Sequence, residues 1–260
     1  MEQNRSGAIA VIDSGVGGIS VLRELTKLMP DEKYIYFADS KNAPYGTKSK
    51  DEVRAIMLEN TEALLSLGVK AIVVACNTAT SAAVKVMREK YPELHIVGIE
   101  PAVKPAVEAF DSPTVVVMAT PLTLAEEKFK SLSERFEGVA EIIPLACPGL
   151  MEIIEEGNTD GEVVDSYLNR LFAPLNNKKI DAVVLGCTHY PFVKGAVQRY
   201  FGENTRIFDG GEGTAREAKR RIHESGLESI VSSDAPEIEF ISTNGDSKTV
   251  ELCRKLLYKD

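Results

Sequence analysis

Two segments of this chain echo each other: Ala71-Ile-Val-Val-Ala-Cys76-Asn77-Thr78 and Ala182-Val-Val-Leu-Gly-Cys187-Thr188-His189. Each is a short apolar run, rich in β-branched residues and without polar alternation, that stops abruptly at a cysteine followed by small polar residues. A run of that kind fits a strand buried on both faces of a parallel sheet. Such a strand needs helices above and below it, so the runs constrain the chain to an alternating α/β plan. Parallel sheets present their functional groups at the carboxyl ends of the strands. The echo therefore predicts two cysteines at equivalent positions in two similar halves, which is a two-base arrangement.

The rest of the chain fits that plan. Apolar runs at 8–12, 34–37, 71–75 and 96–99 predict strands, separated by helical patterns such as 20–28 and 50–67. The alternation restarts after Pro101 with strands expected at 114–118, 140–144, 182–186 and 206–208, and helices near 124–136, 160–174 and 191–201. The expected fold is α/β: two pseudo-symmetric domains, each a mainly parallel sheet flanked by helices, with the active site in the interdomain cleft. A helix at 214–225, a strand at 238–242 and a helical pattern at 248–257 follow a second half that is already complete. The expected division is therefore 1–100 plus 210–260 for the first domain and 101–209 for the second.

A 44% hydrophobic content over 260 residues is enough for two packed cores. The formal net charge of −9 argues against a nucleic-acid partner, because phosphate binding relies on concentrated Lys and Arg. It leaves open a small anion held by backbone N–H groups and helix N-termini. No basic segment leads into a long apolar stretch, so a cytoplasmic protein without a membrane partner is expected. The four cysteines, at 76, 147, 187 and 253, lack CxxC spacing, which points to free thiols.

Asp13-Ser14-Gly15-Val16-Gly17-Gly18 follows a strand and precedes a helix, so it can turn sharply and offer N–H groups to an anion. Its spacing does not match the dinucleotide or P-loop patterns. Asp13, at a buried strand end, needs a partner or a purpose. Cys76 stands just before a helix start, where thiolate is favoured. A cysteine after an apolar strand is otherwise a buried filler, and Cys187 faces the same alternative. His189, two residues after Cys187, can exchange a proton with a neighbouring thiol near neutral pH. Half of a zinc site is the competing reading, but no second CxxC or HxxxH element completes a tetrahedral set. A Cys–His hydrolase is a further alternative, and it leaves Cys76 without a role. Cys147 and Cys253 are expected to be structural, Glu155 and Glu156 an exposed helix end, and 39–46 a turn that either lies on the surface or presents main-chain groups to a ligand.

Taken together, Asp13-Ser-Gly-Val-Gly-Gly, Pro44-Tyr45-Gly46, Ala75-Cys76-Asn77-Thr78-Ala79 and Gly186-Cys187-Thr188-His189-Tyr190-Pro191 resemble the glutamate racemase branch of the cofactor-independent aspartate/glutamate racemase family. The match runs through nearly the whole chain in order. The resemblance implies an isomerase that interconverts L- and D-glutamate without a cofactor, supplies the D-isomer for peptidoglycan, and forms a homodimer. By carry-over, Cys76 takes the α-proton from D-glutamate and Cys187 from L-glutamate, with Asp13 assisting Cys76, His189 assisting Cys187, and Glu155 a further member of the polar set. Asp13, Ser14, Tyr45, Gly46, Asn77, Thr78, Thr188 and His189 match substrate-holding positions, and Thr123 adds to them. The segment Ala119-Thr-Pro-Leu-Thr-Leu-Ala-Glu-Glu-Lys departs from the family's Gly-Thr-x-x-Thr-x-x-Ser pattern.

The chemistry explains the pairing. Inverting a stereocentre by proton transfer requires removal on one face and return on the other, so two acid/base groups are the minimum. Donors at Ser14, Asn77, Thr78 and Thr188 would stabilise the negative charge that develops on the substrate. An aspartate racemase, a Cys–His amidohydrolase or a non-catalytic amino-acid-binding protein are the alternative functions. A pyridoxal-phosphate enzyme would need a Schiff-base lysine that no strand end here offers.

Overall fold

The computed structural model describes residues 7–125, 127–229 and 235–258. The chain divides into two compact units, Met1–Glu100 with Gly211–Asp260, and Pro101–Gly210.

The first unit opens with β1 (Ile9–Asp13), all five residues buried, followed by α1 (Ile19–Leu28) and β2 (Lys33–Ala38). Helix α2 (Lys50–Ser66) starts at a capping box, in which Ser49 accepts from the Glu52 N–H and Glu52 accepts in return from the Ser49 N–H. Then come β3 (Ala71–Val74), α3 (Asn77–Lys90) and β4 (His95–Gly98). Val11 of β1 lies opposite Tyr36 on one side and Val73 on the other, both in parallel pairing. Tyr45, Met57, Leu64, Ile72 and Met87 belong to one core cluster of this unit.

The second unit contains α4 (Val103–Glu108), β5 (Thr114–Ala119), α5 (Pro121–Ala125), α6 (Glu127–Glu134), β6 (Glu141–Ala146), α7 (Leu150–Glu155), α8 (Glu162–Phe172), β7 (Ala182–Leu185), α9 (Lys194–Phe201) and β8 (Arg206–Asp209). Burial on both faces is visible residue by residue. Val116, Met118, Val183 and Leu185 join one core with Leu150, Phe172 and Tyr190, whereas Val115, Val117, Ala182 and Val184 join another with Val103, Val107 and Phe129. Pro144 lies in β6, an edge strand, where a missing N–H is tolerated.

The chain then returns to the first unit with α10 (Gly211–Glu224), β9 (Glu237–Ser242) and α11 (Ser247–Leu257). Helix α10 packs on α1, and β9 pairs in parallel with β2, Tyr36 opposite Phe240. A buried ion pair of Lys70 with Glu32 fastens the segment between α10 and β9, because Lys70 Nζ also donates to the Leu227 carbonyl and Glu32 accepts the Ser229 N–H.

The sheet orders are β4-β3-β1-β2-β9 and β6-β5-β7-β8. In both, the chain runs from the central strand to one neighbour and then crosses to the other side. The switch points therefore fall between β1 and β3 and between β5 and β7. Outside the carboxyl ends of such strand pairs, open α/β sheets bind their ligands. Differences from expectation are local. The helix foreseen at 124–136 corresponds to α5 and α6, with residue 126 outside the described residues, and the one at 191–201 begins as a 3-10 turn over Tyr190–Val193. Helices α4 and α7, six residues each, are too short for a helical period to register in the sequence. Among the described residues no helix is long and apolar enough to cross a membrane.

Candidate active site

At the first switch point, β1 delivers Asp13 and β3 delivers Cys76. Asp13 is fully buried, and its Oδ1 accepts the Gly15 N–H at 3.0 Å, shaping the turn into α1. The turn is closed from below by Tyr36, whose hydroxyl donates to the Gly15 carbonyl at 2.7 Å. Gly18 is required here for space, since a Cβ would meet the Asp13 Cβ at 2.8 Å and the Ala75 Cβ at 3.0 Å. Ser14 is buried beside Asp13.

Cys76 is the N-cap of α3, with its Sγ accepting the Ala79 N–H at 3.5 Å. A thiol in that position faces the positive end of the helix, which favours thiolate. Asn77 and Thr78 fill the first turn and are buried. The Oδ1 of Asn77 is buried without a hydrogen-bond partner. A buried acceptor left unpaired costs about 1–3 kcal/mol, so an unmatched one at a switch point is a place for a ligand donor.

The turn at 39–46 is built inward rather than laid on the surface. Tyr45 is buried, its hydroxyl donates to Asp39 Oδ2 at 2.6 Å, and Asp39 itself is fully buried. Burial raises the Tyr45 phenol far above its usual range, followed by the charge and hydrogen bond of Asp39 and then the charges of Cys76 and Asp13. Tyr45, Cys76 and Asp13 thus form one electrostatic neighbourhood. With the phenol engaged by Asp39, the turn has the main chain of Tyr45 and Gly46 to offer.

At the second switch point, β7 delivers Cys187 and β5 leads to Thr120. Cys187 Sγ stands 3.7 Å from His189 Nδ1, and His189 Nε2 stands 2.7 Å from Glu155 Oε1 at the end of α7. Burial opposes charge on His189. The hydrogen bonds to Cys187 and Glu155, and then their charges, outweigh it and raise the imidazole well above the usual histidine range. Glu155, expected from residue type at an exposed helix end, is a partner of a buried histidine with its side chain 31% exposed. Thr188 is buried, and Thr123, also buried, shares a 2.9 Å hydrogen bond with Thr120.

Cys147, at the end of β6, is set apart from these groups by its chemistry. Burial, then the charge of Cys187, pushes its thiol up to about 12. It is a neutral packing residue at physiological pH, and its carbonyl accepts from the Tyr190 hydroxyl at 3.4 Å. Cys253 is buried on α11, and all four cysteines are free thiols.

Within the first unit the structure gathers Asp13, Ser14, Tyr45, Cys76, Asn77 and Thr78, and within the second Glu155, Cys187, Thr188 and His189. Sequence reasoning did not single out Asp39, although it ends β2 as Asp13 ends β1. A second buried carboxylate at a strand end was the available signal.

The family model for Asp/Glu/hydantoin racemases matches residues 9–218. The chain is 46% identical to the glutamate racemase of Clostridium perfringens (strain SM101 / Type A) over 253 residues, 97% of each chain. The glutamate racemase of Francisella tularensis solved in complex with D-glutamate superposes with a TM-score of 0.84 at 27% identity, covering 98% of this chain and 95% of that one. The Escherichia coli glutamate racemase solved with L-glutamate and the activator UDP-MurNAc-ala gives 0.83 at 30% identity, covering 96% and 95%.

Proposed function

The chain belongs to the Asp/Glu/hydantoin racemase family and is an amino-acid racemase, and we propose that it interconverts L- and D-glutamate by proton transfer between two cysteines. The observation that carries this reading is the equivalence of Cys76 and Cys187. Each follows the strand beside the central strand of its own sheet, at the switch point. The glutamate complexes of the Francisella and Escherichia relatives support the substrate.

In the D-to-L direction the Cys76 thiolate removes the α-proton, the substrate passes through a carbanionic form, and the Cys187 thiol returns a proton on the opposite face. The reverse direction exchanges their parts. The reaction requires the two sulfurs on opposite sides of one α-carbon. Asp13 assists proton exchange at Cys76, and His189 does so at Cys187, oriented by Glu155. Ser14, Asn77, Thr78 and Thr188 hold the substrate together with the main chain at Tyr45 and Gly46, and Thr123 adds a contact. The unpaired Asn77 Oδ1 suits an ammonium donor. Buried side-chain and main-chain dipoles take the part of a cofactor in stabilising charge. The enzyme works in the cytoplasm as a homodimer, without a cofactor, metal, nucleic acid or membrane, and supplies D-glutamate for peptidoglycan synthesis.

The test is circular dichroism of D-glutamate with purified protein in deuterated water, read alongside loss of the α-proton signal by NMR, with no cofactor added. Optical activity decays to zero and deuterium enters at the α-carbon if the reading holds. A response with aspartate alone overturns the substrate. Ammonia release from glutamine without racemisation would assign the Cys187–His189–Glu155 line to an amidohydrolase instead.

A further inference from the structure

The buried carboxylate of Asp39 has no part in the proton transfer just described, and its surroundings are unusual. It is fully buried, and every donor around it is a neutral side chain. Oδ2 accepts from the Tyr45 hydroxyl at 2.6 Å, from Asn60 Nδ2 at 3.0 Å and from Asn42 Nδ2 at 3.0 Å. Oδ1 accepts from the Thr243 hydroxyl at 2.8 Å and from Asn42 Nδ2 at 3.1 Å. A carboxylate taken out of water holds its place only when its lone pairs are matched in this way.

These four donors come from three separate places: Asn42 and Tyr45 from the β2–α2 connection, Asn60 from the body of α2, and Thr243 from just beyond β9. The Asp39 main chain adds one more, since its N–H donates to the Asp13 carbonyl at 2.9 Å. Thr243 is doubly used. Its Oγ1 donates to Asp39 and accepts the Lys41 N–H at 3.0 Å, while its own N–H donates to the Ala38 carbonyl at 3.0 Å. It thus clips both ends of the Asp39 turn, although it lies beyond residue 218, where the family-model match stops.

We propose that Thr243 and Asp39 are positioning residues for the substrate site, bracing through the Tyr45 hydroxyl the turn that carries Tyr45 and Gly46 beside Cys76. The assignment of that turn to substrate rests on the racemase reading. Thr243 touches no reacting group; it acts through Asp39, and Asp39 through Tyr45. The brace sets the height of the 44–47 main chain against Cys76 and has no proton to give to the reaction. Its loss therefore weakens substrate binding in the ground and transition states alike, which raises KM and leaves kcat in place.

The test compares Thr243→Val, Thr243→Ser and Asp39→Asn with the wild type, measuring kcat and KM for each glutamate enantiomer and amide hydrogen exchange across residues 40–47. Valine keeps the shape and removes the hydroxyl, whereas serine restores it. Thr243→Val is expected to raise KM about five-fold, the scale of one lost hydrogen bond, with kcat within about two-fold of wild type and amide exchange faster at 40–47. Because the two enantiomers have equal free energy, kcat/KM falls by the same factor in both directions. Thr243→Ser recovers the wild-type KM, and Asp39→Asn exceeds the valine effect. An unchanged KM in Thr243→Val, a fall in kcat alone, or failure of serine to rescue overturns the inference. If the wild type acts on neither glutamate enantiomer, the racemase reading falls by itself, and amide exchange alone decides the brace: faster exchange at 40–47 in Thr243→Val and Asp39→Asn supports it, and unchanged exchange overturns it.

Discussion

His189 Nε2 lies 2.7 Å from Glu155 Oε1 while its other ring nitrogen faces Cys187, so one buried imidazole joins a thiol to a partly exposed carboxylate. The pair raises the His189 pKa above its ordinary value near 6.5. A group raised in the folded state contributes stability that is fully present below the unfolded pKa and lost as pH rises through the folded one. Glu155→Gln removes one of the raising partners. Its stability deficit relative to wild type should be largest below about pH 6 and shrink at alkaline pH, where the wild-type imidazole is also neutral. Imidazole NMR checks the cause directly: His189 in Glu155→Gln should titrate at lower pH than in wild type, and coincident titrations would place the raising partner elsewhere.

The two cysteines should fail separately and asymmetrically. Cys76→Ala and Cys187→Ala are each expected to lower racemisation by at least about 10³-fold, the upper range for loss of a positioned acid or base. Cys187→Ser should still exchange the α-proton of D-glutamate through Cys76, and Cys76→Ser that of L-glutamate through Cys187. Single-enantiomer deuterium uptake followed by NMR gives the answer, and near-normal turnover in either alanine variant would sink the two-base scheme.

Gly186 lies so close to β5 that an added Cβ would stand 2.7 Å from the Met118 carbonyl oxygen. Backbone cannot yield as a side-chain tip can. Gly186→Ala should therefore cost about 1–3 kcal/mol of stability, as overpacking does, and displace the Cys187 that follows. Urea denaturation measures the first effect and kcat the second; wild-type values for both would show that β5 and β7 can part without consequence.

Asn77 gives a prediction of opposite sign for stability and function. Its unpaired buried Oδ1 is a burden in the ligand-free protein. Asn77→Ala should melt at the wild-type temperature or above it while glutamate KM rises about ten-fold or more, the scale of a hydrogen bond to a charged group. A destabilised Asn77→Ala with unchanged KM would assign the side chain to the fold.

Most of the architecture was legible because a doubly covered parallel strand announces itself as an apolar run, and the cysteines stood where such runs end. Asp13 and Cys76 could be placed together because adjacent strands share a carboxyl edge. What escaped depended on direction rather than residue type. The 39–46 turn reads equally as surface or ligand turn until Tyr45 is seen pointing inward at Asp39. Glu155 resembles any acidic helix end, since the His189 that claims it is 34 residues away. Helices α4 and α7 are packed by tertiary contacts over too few residues to leave a periodic trace.

The return of the chain to its first sheet sets an order of events at the ribosome. The second unit is one uninterrupted stretch, Pro101–Gly210, and can close as soon as it has emerged. The first unit has to wait: β2 lacks its outer neighbour and α1 lacks α10 until residues 211–242 have been synthesised. A nascent chain therefore carries an unfinished sheet edge for the whole time its middle is being made and folded, and the last strand to arrive is the one that brings Thr243 to Asp39. Proteolysis of stalled nascent chains should find the later-made unit protected before the earlier one.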